Sequence, residues 1–119
     1  MAKILAVDDS NSIRKMVELT LDDDDHDVTT ANDGKLGLAA ALEESFDIII
    51  TDINMPNMSG YELILELRKL PAYKNKPIVC LTTESGESQK EKGREVGATG
   101  WITKPFSPQK LISIVDRLT

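Results

Sequence analysis

Several things are scarce in this chain, and each scarcity narrows what it can be. It has one cysteine, Cys80, which cannot close an intrachain disulfide, so a reducing compartment is expected. It has one histidine, His26. One imidazole among scattered acids makes no zinc site, and beside an aspartate run His26 reads as a surface turn residue, not a catalytic base. Bases are outnumbered, 14 against 20 acids, for a net charge of −6. That balance argues against non-specific nucleic-acid binding and against an anionic membrane surface, and it suits a divalent cation or a basic partner. No stretch approaches the roughly 18 apolar residues of a membrane span. Met1-Ala2-Lys3-Ile4 runs straight into a strand-like segment, without a signal-peptide pattern. A cytoplasmic protein without membrane insertion is expected. Repeats, low-complexity tracts and linkers are also missing, so the 119 residues read as one domain, 1–119.

What is present is an alternation of strand-like and helix-like segments. Strands are predicted at Lys3–Val7, Val28–Ala31, Asp47–Thr51, Pro77–Leu81 and Gly100–Thr103. Four are short, mostly apolar runs, as a sheet covered on both faces requires. Val28-Thr29-Thr30-Ala31 is more polar and suits an edge. Helices are predicted at Ser12–Leu21, Gly34–Glu43, Gly60–Leu70, Ser85–Val96 and Pro108–Leu118. The first carries Ile13, Met16, Val17, Thr20 and Leu21 on one face, and the second Leu36, Ala39 and Ala40, with Leu42 nearby. Leu63, Ile64, Leu67 and Leu70 mark the third, and Leu111, Ile114, Val115 and Leu118 the last, where Pro108 suits a first turn. The fourth is the weakest: Val96 is its only strong apolar residue, and Gly93 inside it costs about 1 kcal/mol against alanine. It is expected to be the most mobile. Asp22–Asp25 reads as a solvated turn.

Five βα units imply an α/β, doubly wound five-stranded parallel sheet with helices on both faces and right-handed crossovers. Ligands in such sheets bind outside the carboxyl ends of the strands. Those ends carry the chemistry here. Ile4-Leu5-Ala6-Val7 leads into Asp8 and Asp9, and Ile48-Ile49-Ile50-Thr51 into Asp52. Ile78-Val79-Cys80-Leu81 leads into Thr82, and Trp101-Ile102-Thr103 into Lys104. Three carboxylates in one small cavity repel one another and raise each other's pKa. A hard divalent cation such as Mg²⁺ relieves that repulsion. Lys104 adds a point charge suited to a phosphoryl oxygen, and Thr82 adds a hydroxyl donor. The set fits phosphoryl transfer to an aspartate, where positioning and charge stabilisation carry most of the catalysis.

With those residues in order, the chain resembles the receiver domains of bacterial two-component response regulators. The matching segments are Val7-Asp8-Asp9-Ser10, Thr51-Asp52-Ile53-Asn54-Met55-Pro56, Ser59-Gly60, Leu81-Thr82 and Thr103-Lys104-Pro105-Phe106. The match spans the whole chain. It implies the flavodoxin-like strand order 2-1-3-4-5. It implies Asp52 as phosphoacceptor for a sensor histidine kinase, with Lys104 and Thr82 binding the phosphoryl group. Mg²⁺, with Mn²⁺ able to substitute, would be held by the carboxylates of Asp9 and Asp52 and the backbone carbonyl of Asn54, with Asp8 acting through a bound water. Thr82 and Trp101 would form the switch, and Asn54 and Glu84 would flank the path of the hydrolytic water. Lys104–Pro105 would be cis. Thr83 and Trp101 depart from the commonest pattern: Thr83 is larger than the usual alanine or glycine, and Trp101 is bulkier than the usual tyrosine. Met55 and Met58 are expected to pack the loop around Pro56.

Thr82-Thr83-Glu84-Ser85 and Gly97-Ala98-Thr99-Gly100-Trp101-Ile102 look like chemotaxis-type single-domain regulators. Since the sequence has no effector after Thr119, the output expected is protein contact, by a monomer, with a target such as a flagellar motor switch component. Lys90, Lys92, Arg94 and Trp101 are the candidate partner surface. A phosphorelay shuttle is the main rival. An aspartyl phosphohydrolase of haloacid-dehalogenase type would need a second acid where Asn54 stands, and a substrate cap. A flavodoxin-like FMN protein would set Asp8 and Asp9 against its phosphate. A receiver-like module working without phosphate would leave the acid, threonine and lysine set without a role.

Overall fold

The computed structural model describes residues 1–119. Strands β1 (Lys3–Val7), β2 (Asp27–Ala31), β3 (Ile48–Thr51), β4 (Ile78–Thr82) and β5 (Gly100–Thr103) alternate with helices α1 (Asn11–Asp23), α2 (Gly34–Glu43), α3 (Gly60–Arg68), α4 (Glu87–Val96) and α5 (Pro108–Leu118). All strand pairs are parallel, in the order β2-β1-β3-β4-β5. The chain steps from β1 to one neighbour and then crosses to the other side for β3. The reversal falls between β1 and β3, the place where such sheets open a crevice at their carboxyl ends.

The alternation of strand side chains splits the core into two layers. Leu5, Val7 and Ile49 pack with Ala41, Leu63, Ile64 and Leu67 beneath α2 and α3. Ile4, Ala6, Ile48 and Ile50 pack with Val17, Leu21, Leu111 and Val115 beneath α1 and α5. The apolar runs are therefore apolar on both faces. β2 sits at an edge and is only partly buried, as its composition predicts.

Several expectations need correction. The face predicted for α2 is the wrong one: Leu36 and Leu42 are exposed, and Gly34, Gly37 and Ala41 are buried. The helix lies so close to β1 that a Cβ at Gly37 would meet the Val7 side chain at 2.8 Å, so only small residues fit underneath. Met16, placed on the inner face of α1, is exposed. The acidic run is not all turn. Asp22 and Asp23 close α1, Asp24 caps it, and Asp25 alone turns the chain at φ 66°. α3 stops at Arg68, short of Leu70, because Pro71 forces the residue before it into an extended conformation. α4 starts at Glu87 without a side-chain cap and buries only Gly93. It ends where Gly97 adopts φ 108°, a left-handed conformation that glycine takes without a Cβ penalty.

His26 is the largest correction: it is buried, not a surface residue. Its Nδ1 accepts the Ala2 N–H at 3.0 Å, and its Nε2 lies 3.0 Å from Asp116 and 3.3 Å from Asp24. It ties the start of β1 to α5, at the opposite end of the sheet from the crevice. The neighbouring aspartates suggested solvent in sequence, but in the fold Asp24 faces the ring and Nε2 makes its hydrogen bond to the distant Asp116.

Candidate functional site

β1 and β3 are adjacent and in register, with Val7 beside Thr51. Their next residues, Asp8 and Asp52, therefore leave the sheet side by side. Asp8 stays buried because its N–H continues the strand ladder to Ala31 O at 3.1 Å and its Oδ1 accepts Ser10 N–H at 2.9 Å. Asp52 N–H donates to Val7 O at 2.9 Å, and Asp52 Oδ1 accepts Ile53 N–H at 2.7 Å. Gly60 allows the following loop to fold back, since a Cβ there would collide with the Asp52 carbonyl. Asp9 is one residue further out and exposed. Oxygens of Asp8, Asp9 and Asp52 lie within 4.8 Å of one another.

Lys104 reaches this cluster from the end of β5. Its Nζ is 2.7 Å from Asp8 Oδ2 and 3.3 Å from Asp52 Oδ2. The Lys104–Pro105 peptide is cis. One ammonium cannot neutralise three carboxylates, and burial makes the imbalance worse. Burial pushes the Asp8 carboxyl above its ordinary range, outweighing the Lys104 and Ser10 hydrogen bonds that pull it down. The donor set is all oxygen, with Asp9 facing solvent. It fits a hard divalent cation with retained waters and fits no soft metal.

Thr82 ends β4 fully buried, and its Oγ1 accepts Glu84 N–H at 3.3 Å. Glu84 joins three groups. Besides that bond, its carboxylate accepts Asn54 Nδ2–H at 2.9 Å and its carbonyl accepts Trp101 Nε1–H at 2.9 Å. Asn54 and Glu84 therefore join the loop after β3 to the loop after β4, and Trp101 is tied to the β4–α4 loop. Trp101 also lies on Gly93 of α4. Thr83 points to solvent. Met55 and Met58 pack on the core beneath α2 and α3, as expected of loop packing.

The predicted partner residues behave differently from one another. Arg94 is engaged within α4 by Glu91 at 2.8 Å and Glu87 at 3.6 Å. Lys92 sits 4.6 Å over the Tyr61 ring. Lys90 lies on the same helix, half-buried.

Sequence reasoning missed Arg14. Its Nη1 donates to the Asp8 carbonyl at 2.7 Å and its Nη2 to Asn11 Oδ1 at 3.2 Å. A base one turn into the helix that follows two acids was the available signal. A second cluster, Asp24, His26 and Asp116, also gathers possible metal ligands. The Ala2 N–H on Nδ1 leaves the neutral ring's proton on Nε2. The nitrogen facing the carboxylates is thus a donor, whereas metal-bound histidines usually donate from the other nitrogen.

Comparison with known proteins agrees with this geometry. The family model of the response regulator receiver domain matches residues 4–116. The crystallised chemotaxis protein CheY4 of Vibrio cholerae superposes with a TM-score of 0.96 at 50% identity, covering 100% of this chain and 99% of that one. A receiver domain of a sensor histidine kinase from Pseudomonas aeruginosa, described with a magnesium ion coordinated in its active-site cleft, gives a TM-score of 0.91 at 26% identity, covering 98% and 96%. A probable transcriptional regulator of Pyropia yezoensis is 35% identical over 98% of this chain, which spans 52% of that protein's length. Receiver domains of this kind bind Mg²⁺ in the acidic cleft and work between histidine kinases and downstream targets as signalling modules, not classical enzymes. The chain belongs to the response regulator receiver domain family of two-component signalling.

Proposed function

We propose that Asp52 accepts a phosphoryl group from a phosphohistidine of a sensor kinase and that the chain, acting as a single receiver unit, signals through phosphorylation-dependent protein contact. The observation that carries this reading is Lys104 bridging Asp8 and Asp52 at 2.7 and 3.3 Å inside a three-carboxylate cluster. One Asp52 carboxylate oxygen forms the new O–P bond as the N–P bond to the donor imidazole breaks. The ring nitrogen takes up a proton. Asp9, Asp52 and the Asn54 carbonyl would hold a Mg²⁺ ion, with Asp8 acting through a bound water, and the bound ion would supply charge neutralisation for the phosphoryl oxygens. Lys104 stays on the phosphoryl group as a point charge. Thr82 exchanges its Glu84 N–H contact for a phosphoryl oxygen. Because Glu84 also holds Trp101, that exchange loosens the loop and frees the indole, which makes Thr82 and Trp101 the switch pair. Asn54 and Glu84 shape the approach of the hydrolytic water.

The output surface in this reading is α4, β5 and α5, where Lys92 is exposed and Lys90 and Trp101 are partly exposed to a target. Arg94 contributes only after leaving its glutamates. Similarity to a chemotaxis protein at 50% identity over 99% of that chain supports a chemotaxis role; in this reading the chain acts as a cytoplasmic monomer on a target such as a flagellar motor switch component. A phosphorelay shuttle uses the same acceptor chemistry and is the second reading. The test is mass spectrometry after incubation with Mg²⁺ and acetyl phosphate. A single labile adduct on the wild type, absent from Asp52→Ala, is expected. An adduct retained in the variant overturns the assignment.

A further inference from the structure

Asp8 and Asp9 are neighbours in sequence but are held very differently. Asp8 is fixed by its N–H on Ala31, its carboxylate on Ser10 N–H, and Lys104. Asp9 is exposed and follows the end of β1. The peptide unit that leads into Asp9 begins at the Asp8 carbonyl, and that carbonyl is held by Arg14 Nη1 at 2.7 Å. Because a peptide unit is planar, fixing its carbonyl fixes the direction from which the next residue departs. Arg14 is itself oriented by Asn11, whose Oδ1 accepts Nη2 at 3.2 Å.

We infer that Arg14 is a positioning residue for the divalent cation: it pins the Asp8–Asp9 peptide so that Asp9 faces the oxygens of Asp8 and Asp52. This rests on the reading of the acidic cluster as a Mg²⁺ site. The inference has a built-in opposite. As a bare positive charge near the cluster, Arg14 would repel a cation, and removing it would tighten binding. As a hydrogen-bonding clamp, its removal weakens binding. Outer partners that orient metal ligands typically cost 10–100-fold in affinity when lost. The clamp therefore sets the sign.

The experiment is a Mg²⁺ titration followed by backbone amide shifts at Asp9, Ser10 and Ile53, for wild type and for Arg14→Met, Arg14→Lys, Asn11→Ala and Asp9→Asn. Arg14→Met is expected to bind Mg²⁺ about 10-fold more weakly, and Arg14→Lys, which keeps a charged donor, to recover part of the loss. Asn11→Ala is expected to lose about 2-fold and decides the matter if Arg14→Met does not fold. In an Asp9→Asn background, Arg14→Met should change the affinity little, because the clamp acts through Asp9. A merely structural loss would persist there. Unchanged or tighter Mg²⁺ binding in Arg14→Met overturns the inference. Absence of Mg²⁺ binding in wild type overturns the cation-site reading itself.

Discussion

Replacing Gly93 with alanine sets two effects of similar size against each other. Gly93 lies inside α4, where exchange of glycine for alanine should stabilise by about 1 kcal/mol through helix propensity alone. The new Cβ would, however, stand 2.8 Å from Trp101 Cζ3 and 3.2 Å from Cε3. The indole cannot simply slide away, because its N–H is fixed to the Glu84 carbonyl at 2.9 Å. Forcing a methyl into such a contact costs about 1–3 kcal/mol. The net expectation is a loss of roughly 1 kcal/mol, with the indole displaced and its bond to Glu84 broken or stretched. Trp101 is the only tryptophan, so its emission reports this without ambiguity. Urea unfolding should give a lower midpoint for Gly93→Ala at an unchanged slope, with shifted native-state emission. In a Trp101→Ala background the same substitution should stabilise by about 1 kcal/mol, since only propensity remains. A stabilised Gly93→Ala protein with unchanged emission would refute the account of α4 as resting on Trp101.

Two further outcomes follow from other buried charges. Arg68 is half-buried and serves only neutral acceptors, namely the carbonyls of Gly97, Tyr73, Lys74 and Lys76, and Thr99 Oγ1. Burial lowers its pKa. Arg68→Ala should cost about 3 kcal/mol in urea unfolding, with Arg68→Lys recovering only part because an ammonium cannot span the fork. A cost below about 1 kcal/mol would contradict the role of Arg68 in joining α3 to the α4–β5 turn. Asp8 gives a pH dependence. Its folded carboxyl holds its proton to higher pH than the unfolded one, so between those two values the folded state binds more protons. The Asp8 contribution to stability is therefore full at pH below the ordinary carboxyl pKa and is lost as pH rises through the raised one. Without Mg²⁺, Asp8→Asn should be more stable than wild type at neutral pH, and the gain should vanish on acidification. Parallel wild-type and variant curves in metal-free urea titrations would reject it.

The strand ends were legible because a parallel strand buried on both faces leaves little room for ambiguity. Ile48-Ile49-Ile50 can only be interior, and the first polar group after it must stand at the rim. That logic placed Asp8, Asp52, Thr82 and Lys104 at one end of the sheet, and the structure brings Lys104 against two of the acids. α2 was misread for the opposite reason. Leu36, Ala39 and Leu42 formed the more apolar face, yet clearance against Val7, not hydrophobicity, decided which face goes inward. His26 was misread because its partners, Ala2 and Asp116, are distant in sequence.

By itself the sequence determined the alternation of elements, the covered parallel sheet and the identity of the groups at its carboxyl edge. These follow from local periodicity and from strands too apolar to face water. The tertiary structure alone decided which groups touch. Arg14 on the Asp8 carbonyl, Glu84 shared among Thr82, Asn54 and Trp101, and the indole resting on Gly93 all depend on how elements lie against one another. Such contacts join residues through space, at ångström-scale distances that spacing along a chain does not encode.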